Sequence, residues 1–397
     1  MSQIFNPSNK ILCHLDKVEK LLNNKNPSPI TIEIDPSNAC NHSCPFCISG
    51  HLHLSKYKGT DLFNRTMLKK DVFKNLIQDL TTMDIEAINW TGGGEPTMNP
   101  ALGEMIRLIN ENSNIQMGMF SNGTMFERFN LFETLVNCLS WIRISMDAGK
   151  ASSYDSLRVT NKSTNFETVV NNILKLIEVK KRLNSRITIG VGFVVTKDNY
   201  KEILDFANLF KDKDVDYCQF KPEIIQIERD ETIDKSKEQI SSDFWLKEVL
   251  FLLDKAKKIL GNKYECNAYK IDDLIVDVKN YGRNYKQCLG SQLQPCVGAD
   301  GNVYVCTNHR GHKKYSYGSL YEKSFKDIWN DIKTKSAIMH QINNVEKFSN
   351  CTHLCKPHES NKILYKIKSN KKNQDYIKDL KIKTSNISKT VKHKNFI

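Results

Sequence analysis

Between residues 31 and 221, short apolar strands alternate with amphipathic helical stretches, and this alternation constrains the fold more than any other feature. Strand patterns fall at 31–36 (TIEIDP), 86–91 (EAINWT), 115–121, 141–147 (WIRISMD), 187–195 and 217–221. Apolar residues at helical spacing fill 72–83, 102–109, 129–136, 166–183 and 200–210. Strands joined through helices pair in parallel and place the helices outside, as an open sheet or a partial barrel. In either form the loops beyond the carboxyl ends of the strands build the active site. Farther on, 244–260 reads as a bridging helix, 294–307 as a hairpin turning on Asp300-Gly301, and 325–342 as a helix. The expected division is an N-terminal extension (1–30), a core (31–240), a bridging helix with a small cysteine-bearing α+β domain (241–358) and a basic tail (359–397). No internal repeat is visible.

The start, MSQIFNPSNKILCHLDKVEK, lacks the apolar stretch of a signal peptide, and no apolar run approaches the roughly 18 residues of a membrane span. The expectation is a cytoplasmic protein that makes no membrane contact. The formal charge is +13. Residues 359–397 hold eleven Lys, no Arg and three acids, hence +8, leaving +5 for the first 358 residues. A lysine-rich end with weak periodicity reads as a solvated tail, and nucleic-acid binding as a minor hypothesis.

Twelve cysteines in a chain with no export signal point to metal or redox chemistry instead of disulfides. Cys40, Cys44 and Cys47 form C-x3-C-x2-C on the loop after the first strand. Three thiolates can hold three irons of a cubane and leave the fourth iron open; a structural zinc site would recruit a fourth ligand, here His42 or His51.

This motif, with Phe46 before its last cysteine, resembles the radical S-adenosylmethionine (SAM) signature, and the resemblance runs from about residue 31 to residue 222. Gly93-Gly94-Glu95-Pro96 after the second strand is similar to the family's GGEP segment, which accepts the SAM amino group. Ser121-Asn122-Gly123-Thr124 follows the third strand like the family's TNG(T) turn. Ser145-Met146-Asp147-Ala148 looks like the S-x-D-[GA] segment near the SAM ribose, and Arg158 matches an Arg that pairs with the SAM carboxylate. The resemblance implies a partial (β/α)6 barrel with a [4Fe–4S] cluster on Cys40, Cys44 and Cys47. It also implies reductive cleavage of SAM to methionine and a 5′-deoxyadenosyl radical that abstracts hydrogen from substrate. Taken alone, Gly92–Gly94 reads as an ordinary turn, Ser145 and Asp147 as helix caps, and Arg158 as a surface residue.

Cys288-x12-Gly301-x4-Cys306, followed by Cys351-x3-Cys355, is similar to the SPASM and twitch domains that carry auxiliary clusters, and the short twitch form fits better. The resemblance implies a second [4Fe–4S] cluster on Cys288, Cys306, Cys351 and Cys355, closed to substrate and able to take up an electron. Zinc on Cys306, Cys351, Cys355 and His309 or His358 is the alternative; Cys296 is a spare thiol. The first functional expectation is therefore a radical SAM oxidoreductase acting on a small molecule, with a reductase, flavodoxin or ferredoxin as electron donor. The second is a peptide-modifying maturase forming a crosslink, thioether or epimer, for which Cys218 on the sixth strand is the candidate hydrogen donor. The third is a non-enzymatic, metal-stabilised nucleic-acid-binding protein.

Overall fold

Each strand of the alternating region presents one apolar side to the helices and a different set of side chains to the opposite side. On β4 (Trp141–Ser145), Ile142 and Ile144 join the apolar core, while Trp141, Arg143 and Ser145 face the other way. The same parity separates Ile189, Val191 and Phe193 from Gly190, Gly192 and Val194 on β5 (Thr188–Val195). A computed structural model describes residues 10–159, 165–223, 245–266, 283, 285–344, 351, 355–370, 373–384 and 391–397.

Its remaining strands are β1 (Thr31–Ile34), β2 (Ala87–Trp90), β3 (Gln116–Ser121), β6 (Tyr217–Pro222), β7 (Tyr264–Cys266), β8 (Cys296–Val297), β9 (Asn302–Tyr304) and β10 (Ser316–Ser319). They form one sheet in the order β10-β9-β8-β1-β2-β3-β4-β5-β6-β7. From β8 through β1 to β7 every pairing is parallel, with Ile34 opposite Trp90 and Gly192 opposite Gln219. Only the β8–β9 and β9–β10 pairs are antiparallel. The fold is α/β, a partial barrel of parallel strands whose edge continues into the small C-terminal unit.

Helices α1 (Leu15–Leu22), α2 (Lys70–Thr82), α3 (Leu102–Asn112), α4 (Phe132–Cys138), α5 (Ala151–Leu157), α6 (Asn165–Arg182), α7 (Ile203–Phe210) and α8 (Leu250–Leu260) accompany the parallel strands. The C-terminal part adds α9 (Phe325–Asn330), α10 (Ile332–Asn343), α11 (His358–Lys368) and α12 (Asn373–Thr384). Among the described residues no helix is long and apolar enough to cross a membrane.

Three expectations change. The helix expected over 325–342 breaks at Asp331, whose side chain accepts the Thr334 N–H at 3.1 Å and so caps a new helix. A seventh strand, β7, pairs with β6. The lysine-rich residues beyond 358 are folded where they are described: Leu364, Ile367 and Ile377 pack with Val18 and Leu21 of α1. Lys381 reaches Asp16 and Glu19 at 2.6 and 2.8 Å. Residues 391–397 run beneath the amino ends of the strands, with Phe396 packed on Ala87 and Trp141. There Thr31 Oγ1 donates to the Asn395 carbonyl at 2.6 Å and Lys10 Nζ to that of Phe396 at 3.1 Å.

Candidate functional site

The loops after β1, β2, β3 and β4 meet at the carboxyl ends of the strands and are tied together by their own hydrogen bonds. Gly94 N–H donates to the Ser37 carbonyl at 3.0 Å, and Glu95 N–H to that of Ala39 at 2.9 Å. A Cβ on Gly94 would lie 2.1 Å from the Ala39 carbonyl oxygen, so only glycine allows this approach to the cysteine loop. Asn122 Nδ2 donates to Asn41 Oδ1 at 2.8 Å, inside the C-x3-C-x2-C segment. Ser43 N–H donates to the Val159 carbonyl at 3.0 Å, fastening the same segment to the chain after α5.

Glu95 is the hub of this arrangement. Its Oε1 accepts from Thr97 N–H (3.1 Å), Thr97 Oγ1 (2.6 Å) and Ser121 Oγ (2.7 Å), and its Oε2 from Asn122 N–H (2.7 Å). Burial pushes its carboxyl up, and these hydrogen bonds pull it down. Oε1 is thus saturated, and the free acceptor capacity lies on Oε2, where an ammonium would find it. Pro96 begins the short 3₁₀ turn Pro96–Met98 that this carboxylate caps.

Asp147 holds a left-handed backbone conformation (φ +59°), a strained state at which Asp is enriched. Its Oδ1 accepts the Val194 N–H at 2.7 Å, and its Oδ2 pairs with Arg158 Nη2; both side chains are buried. Burial alone would lower the Arg158 value, but Asp147, then Cys44, Tyr154 and Cys40, hold it above its ordinary range. The guanidinium therefore lies between the β4 aspartate and the cysteine loop. His42 is buried beside Tyr154, with ring centroids 6.2 Å apart, and burial and Arg158 lower its pKa to about 3.

The three thiols are near neighbours. Burial, then Glu95, push Cys40 up, with Cys44 and Cys47 adding to the effect. Burial raises Cys44 to about 12 against the pull of Arg158, and burial raises Cys47 as well. Phe46 is half-buried against the core. Among the described residues no three His, Cys, Asp or Glu side chains converge as they would on a single metal ion.

The second set also assembles. Burial lifts Cys355 to about 12, with Arg283 opposing it and Cys351 and Cys288 reinforcing it. Tyr317, pushed up by burial, feels both Cys306 and Cys288. Cys288 N–H donates to Asn343 Oδ1 at 2.9 Å, and Asn361 Nδ2 points at its sulfur at 3.3 Å. Cys351 Sγ lies 3.8 Å from His309 Nε2, whereas His358 Nδ1 bonds to the Tyr285 hydroxyl at 2.9 Å. Cys296 stands apart, fully buried on β8 with Sγ 3.9 Å from Asp35 Oδ2.

Residues 34–209 match the family described as the radical SAM superfamily, and residues 288–356 match SPASM, an iron–sulfur cluster-binding domain. The chain belongs to the radical SAM superfamily. A cysteine-type anaerobic sulfatase-maturating enzyme from Clostridium novyi is 24% identical over 332 residues, covering 79% of this chain and 83% of that protein. A GTPase Obg from Brachyspira hyodysenteriae is 24% identical over 174 residues, and the matched part is only 25% of its length. In structure, SuiB of Streptococcus suis bound to S-adenosylmethionine superposes with a TM-score of 0.58 at 15% identity, covering 83% of this chain and 73% of that one. Native anSMEcpe with bound AdoMet gives 0.56 at 16% identity, covering 91% and 100%. These likenesses establish the fold.

As a radical SAM protein with a SPASM domain, the chain has two [4Fe–4S] clusters and SAM as its cofactors. The residues present fit them. Three thiols share one loop, the His42 backbone N–H donates to Cys40 Sγ at 3.4 Å, and their desolvation favours the neutral thiol until iron supplies positive charge. A buried carboxylate with spare capacity on Oε2 and a buried guanidinium flank that loop, matching an ammonium and a carboxylate of SAM. In the second set Cys288 and Cys351 act on Cys355, and Cys306 joins Cys288 in acting on Tyr317.

The structure corrects the reading of Cys218 and sets aside the surface alternative for Arg158. Cys218 does not face the interior: it is fully buried in the apolar layer with Val191 and Phe220, while Tyr217, Gln219 and Lys221 alternate to the inside. Arg158 is a buried ion-pair partner of Asp147, not a surface residue. Sequence reading missed Arg143 and Lys221 inside the barrel, although strict alternation along WIRIS and YCQFK marks them as inward residues.

Proposed function

We propose that this chain is a radical SAM oxidoreductase that removes a hydrogen atom, a proton and an electron from a peptide substrate. In this reading Cys40, Cys44 and Cys47 hold the SAM-binding cluster, with Glu95 Oε2 on the SAM amino group and Arg158 on its carboxylate. Phe46, Gly93, Gly94, Pro96, Ser121, Asn122, Ser145 and Asp147 shape that pocket. When bound, the cluster and SAM supply a 5′-deoxyadenosyl radical, which becomes 5′-deoxyadenosine on taking the substrate hydrogen. Cys288, Cys306, Cys351 and Cys355 hold the auxiliary cluster. The observation that carries the oxidative reading is this second set: Cys351 and Cys288 both act on Cys355, and Cys288 and Cys306 both act on Tyr317. A four-thiolate centre has no open position for substrate, so its use is to accept the electron left behind. A flavodoxin, ferredoxin or reductase supplies the first electron, in a reducing cytoplasm.

A peptide is favoured over a small molecule by the relatives. SuiB has been solved bound to a precursor peptide, SuiA. A chain covered to 98% by this one, anSMEcpe, has been solved with AdoMet and the Cp18Cys peptide. Anaerobic reconstitution should yield about eight irons per chain, and reduction with SAM should form 5′-deoxyadenosine. Cys44→Ala should abolish that product. Zinc in place of iron, or no 5′-deoxyadenosine from the intact chain, rejects the proposal.

A further inference from the structure

On the inner face of the barrel two cations, Arg143 and Lys221, make no ion pair with any described residue. Arg143 on β4 and Lys221 on β6 both point inward on either side of β5, Arg143 opposite Gly190 and Lys221 opposite Val194, with Gly192 between those positions. The two glycines of β5 make room for these side chains: the Tyr217 ring lies over Gly190, where a Cβ would meet it at 2.0 Å, and Arg143 leans over Gly192, where a Cβ would lie 3.4 Å from its Cδ. Arg143 lies over the Phe120 ring at 4.3 Å from its centroid, and its Nη1 donates to Gln219 Oε1. Both partners are neutral. Lys221 makes no hydrogen bond or ion pair with any described residue. Phe120, Arg143, Ser145, Val194 and Lys221 are each half-buried, whereas Ile144, Phe193 and Phe220 on the helix-facing side are fully buried. The interior is therefore open to solvent beside these two cations.

The charges around them do not cancel. Lys221 feels Arg143 and Arg158 as like charges and only Asp147 as an opposite one. Among the described residues the one carboxylate that acts on Arg143 is again Asp147. Asp147 is already committed to Arg158 and the Val194 N–H. Glu265, opposite Gln219 in the β6–β7 ladder, acts on Tyr217 instead of on either cation. Among the described residues neither Arg143 nor Lys221 has a carboxylate of its own in this partly desolvated interior, and such a deficit favours an incoming anion.

We propose that Arg143 and Lys221 form a subsite for a carboxylate of the substrate, with Gln219 and Phe120 fixing the guanidinium plane. A carboxylate suits a guanidinium whose face and one nitrogen are already occupied, because the remaining N–H groups and the ammonium can grip its two oxygens from different sides. The proposal deepens the peptide-oxidation reading and rests on it: the peptide would present an acidic side chain or its own terminus here. SAM also carries a carboxylate, so the experiment separates the two sources.

The full-length, anaerobically reconstituted protein with SAM bound is titrated at low ionic strength with the α-amides of N-acetylglutamate (the acid) and of N-acetylglutamine (the amide), of which only the first carries a carboxylate. The acid should bind at least tenfold more tightly than the amide. Arg143→Gln and Lys221→Met should each reduce that preference to within about twofold, while Lys221→Arg should keep it. SAM affinity of each variant is measured in parallel without the acid. Equal binding of acid and amide by the wild type overturns the proposal, as does an undiminished preference in both charge-removing variants. A drop in SAM affinity with unchanged acid preference assigns the cations to the SAM carboxylate and overturns it equally. Absence of 5′-deoxyadenosine from the wild type would reject the enzymatic reading alone, because the acid preference is read without turnover.

Discussion

Lys221 shows how a single side chain can report on the whole interior. Burial, then Arg143, lower its pKa from 10.5 to about 7, with Asp147 opposing and Arg158 adding to the depression. Between about pH 7 and the ordinary lysine value the unfolded chain binds more protons than the folded one, so stability rises with pH across that window. Lys221→Met should flatten this slope. The check is the wild-type-minus-variant difference in urea midpoint at pH 7 and pH 9, because Lys10 and Lys335 carry similar depressions and remain in both proteins. A carboxylate bound beside Lys221 would restore its proton, so the α-amide of N-acetylglutamate should bind more weakly as pH rises above about 7, with proton uptake visible as a buffer-dependent heat. Asp147 and Arg158 differ in kind: both are buried and each satisfies the other. Breaking such a pair leaves an uncompensated charge, so Asp147→Asn should lower stability by about 3 kcal/mol in a urea titration of the reconstituted protein. The same substitution should also weaken SAM binding, since Arg158 would lose the contact that holds it beside the cysteine loop.

At the scale of elements, most of the parallel core was legible because strand and helix periods differ and each strand had room to show its own. WIRIS and TIGVGFVV alternate cleanly, and the motif residues fall at their carboxyl ends as the fold requires. Three features escaped for physical reasons. The three-residue β7 is too short to show a period and pairs only because β6 offers it an edge. Asp331 sits in a continuous helical pattern, yet its carboxylate competes for the Thr334 N–H and restarts the helix. Asp331→Ala should cost about 1 kcal/mol, read as a shift of the thermal midpoint. The 391–397 segment has few apolar residues, and its contacts lie more than 200 residues away in sequence, at Thr31, Ala87, Trp141 and Thr188. Periodicity cannot reveal such a long-range contact. Phe396→Ala should destabilise the protein by about 3 kcal/mol, because Trp141 and Ala87 would face a void.

The molecule as a whole is one sheet serving two cysteine sites, and the junction between them is charged. Asp35, just past β1, lies 3.3 Å from Arg310, which follows Cys306 in the second set; both are buried. Arg310 Nη1 also donates to Ser49 Oγ at 3.4 Å, and its carbonyl lies 3.3 Å from His51 Nε2. Ser49 and His51 directly follow Cys47, so one arginine ties the first cysteine loop, the end of β1 and the second cysteine segment together. Its charge acts on Cys47 and on Cys296, and Cys306 in turn acts on it. Asp35 is raised by burial to about 6 in spite of Arg310, which shows how costly this carboxylate would be without its partner. Arg310→Met should therefore destabilise by about 3 kcal/mol, and Asp35→Asn by a similar amount, each leaving a buried charge unpaired. The double variant should lose clearly less than the sum of the two, because neither charge is then stranded, and urea denaturation of all four proteins measures that coupling. Additive losses would mean that the two residues support separate parts of the fold. A positive coupling of about 1 kcal/mol or more would establish that the two cysteine sites share a single electrostatic hinge pin.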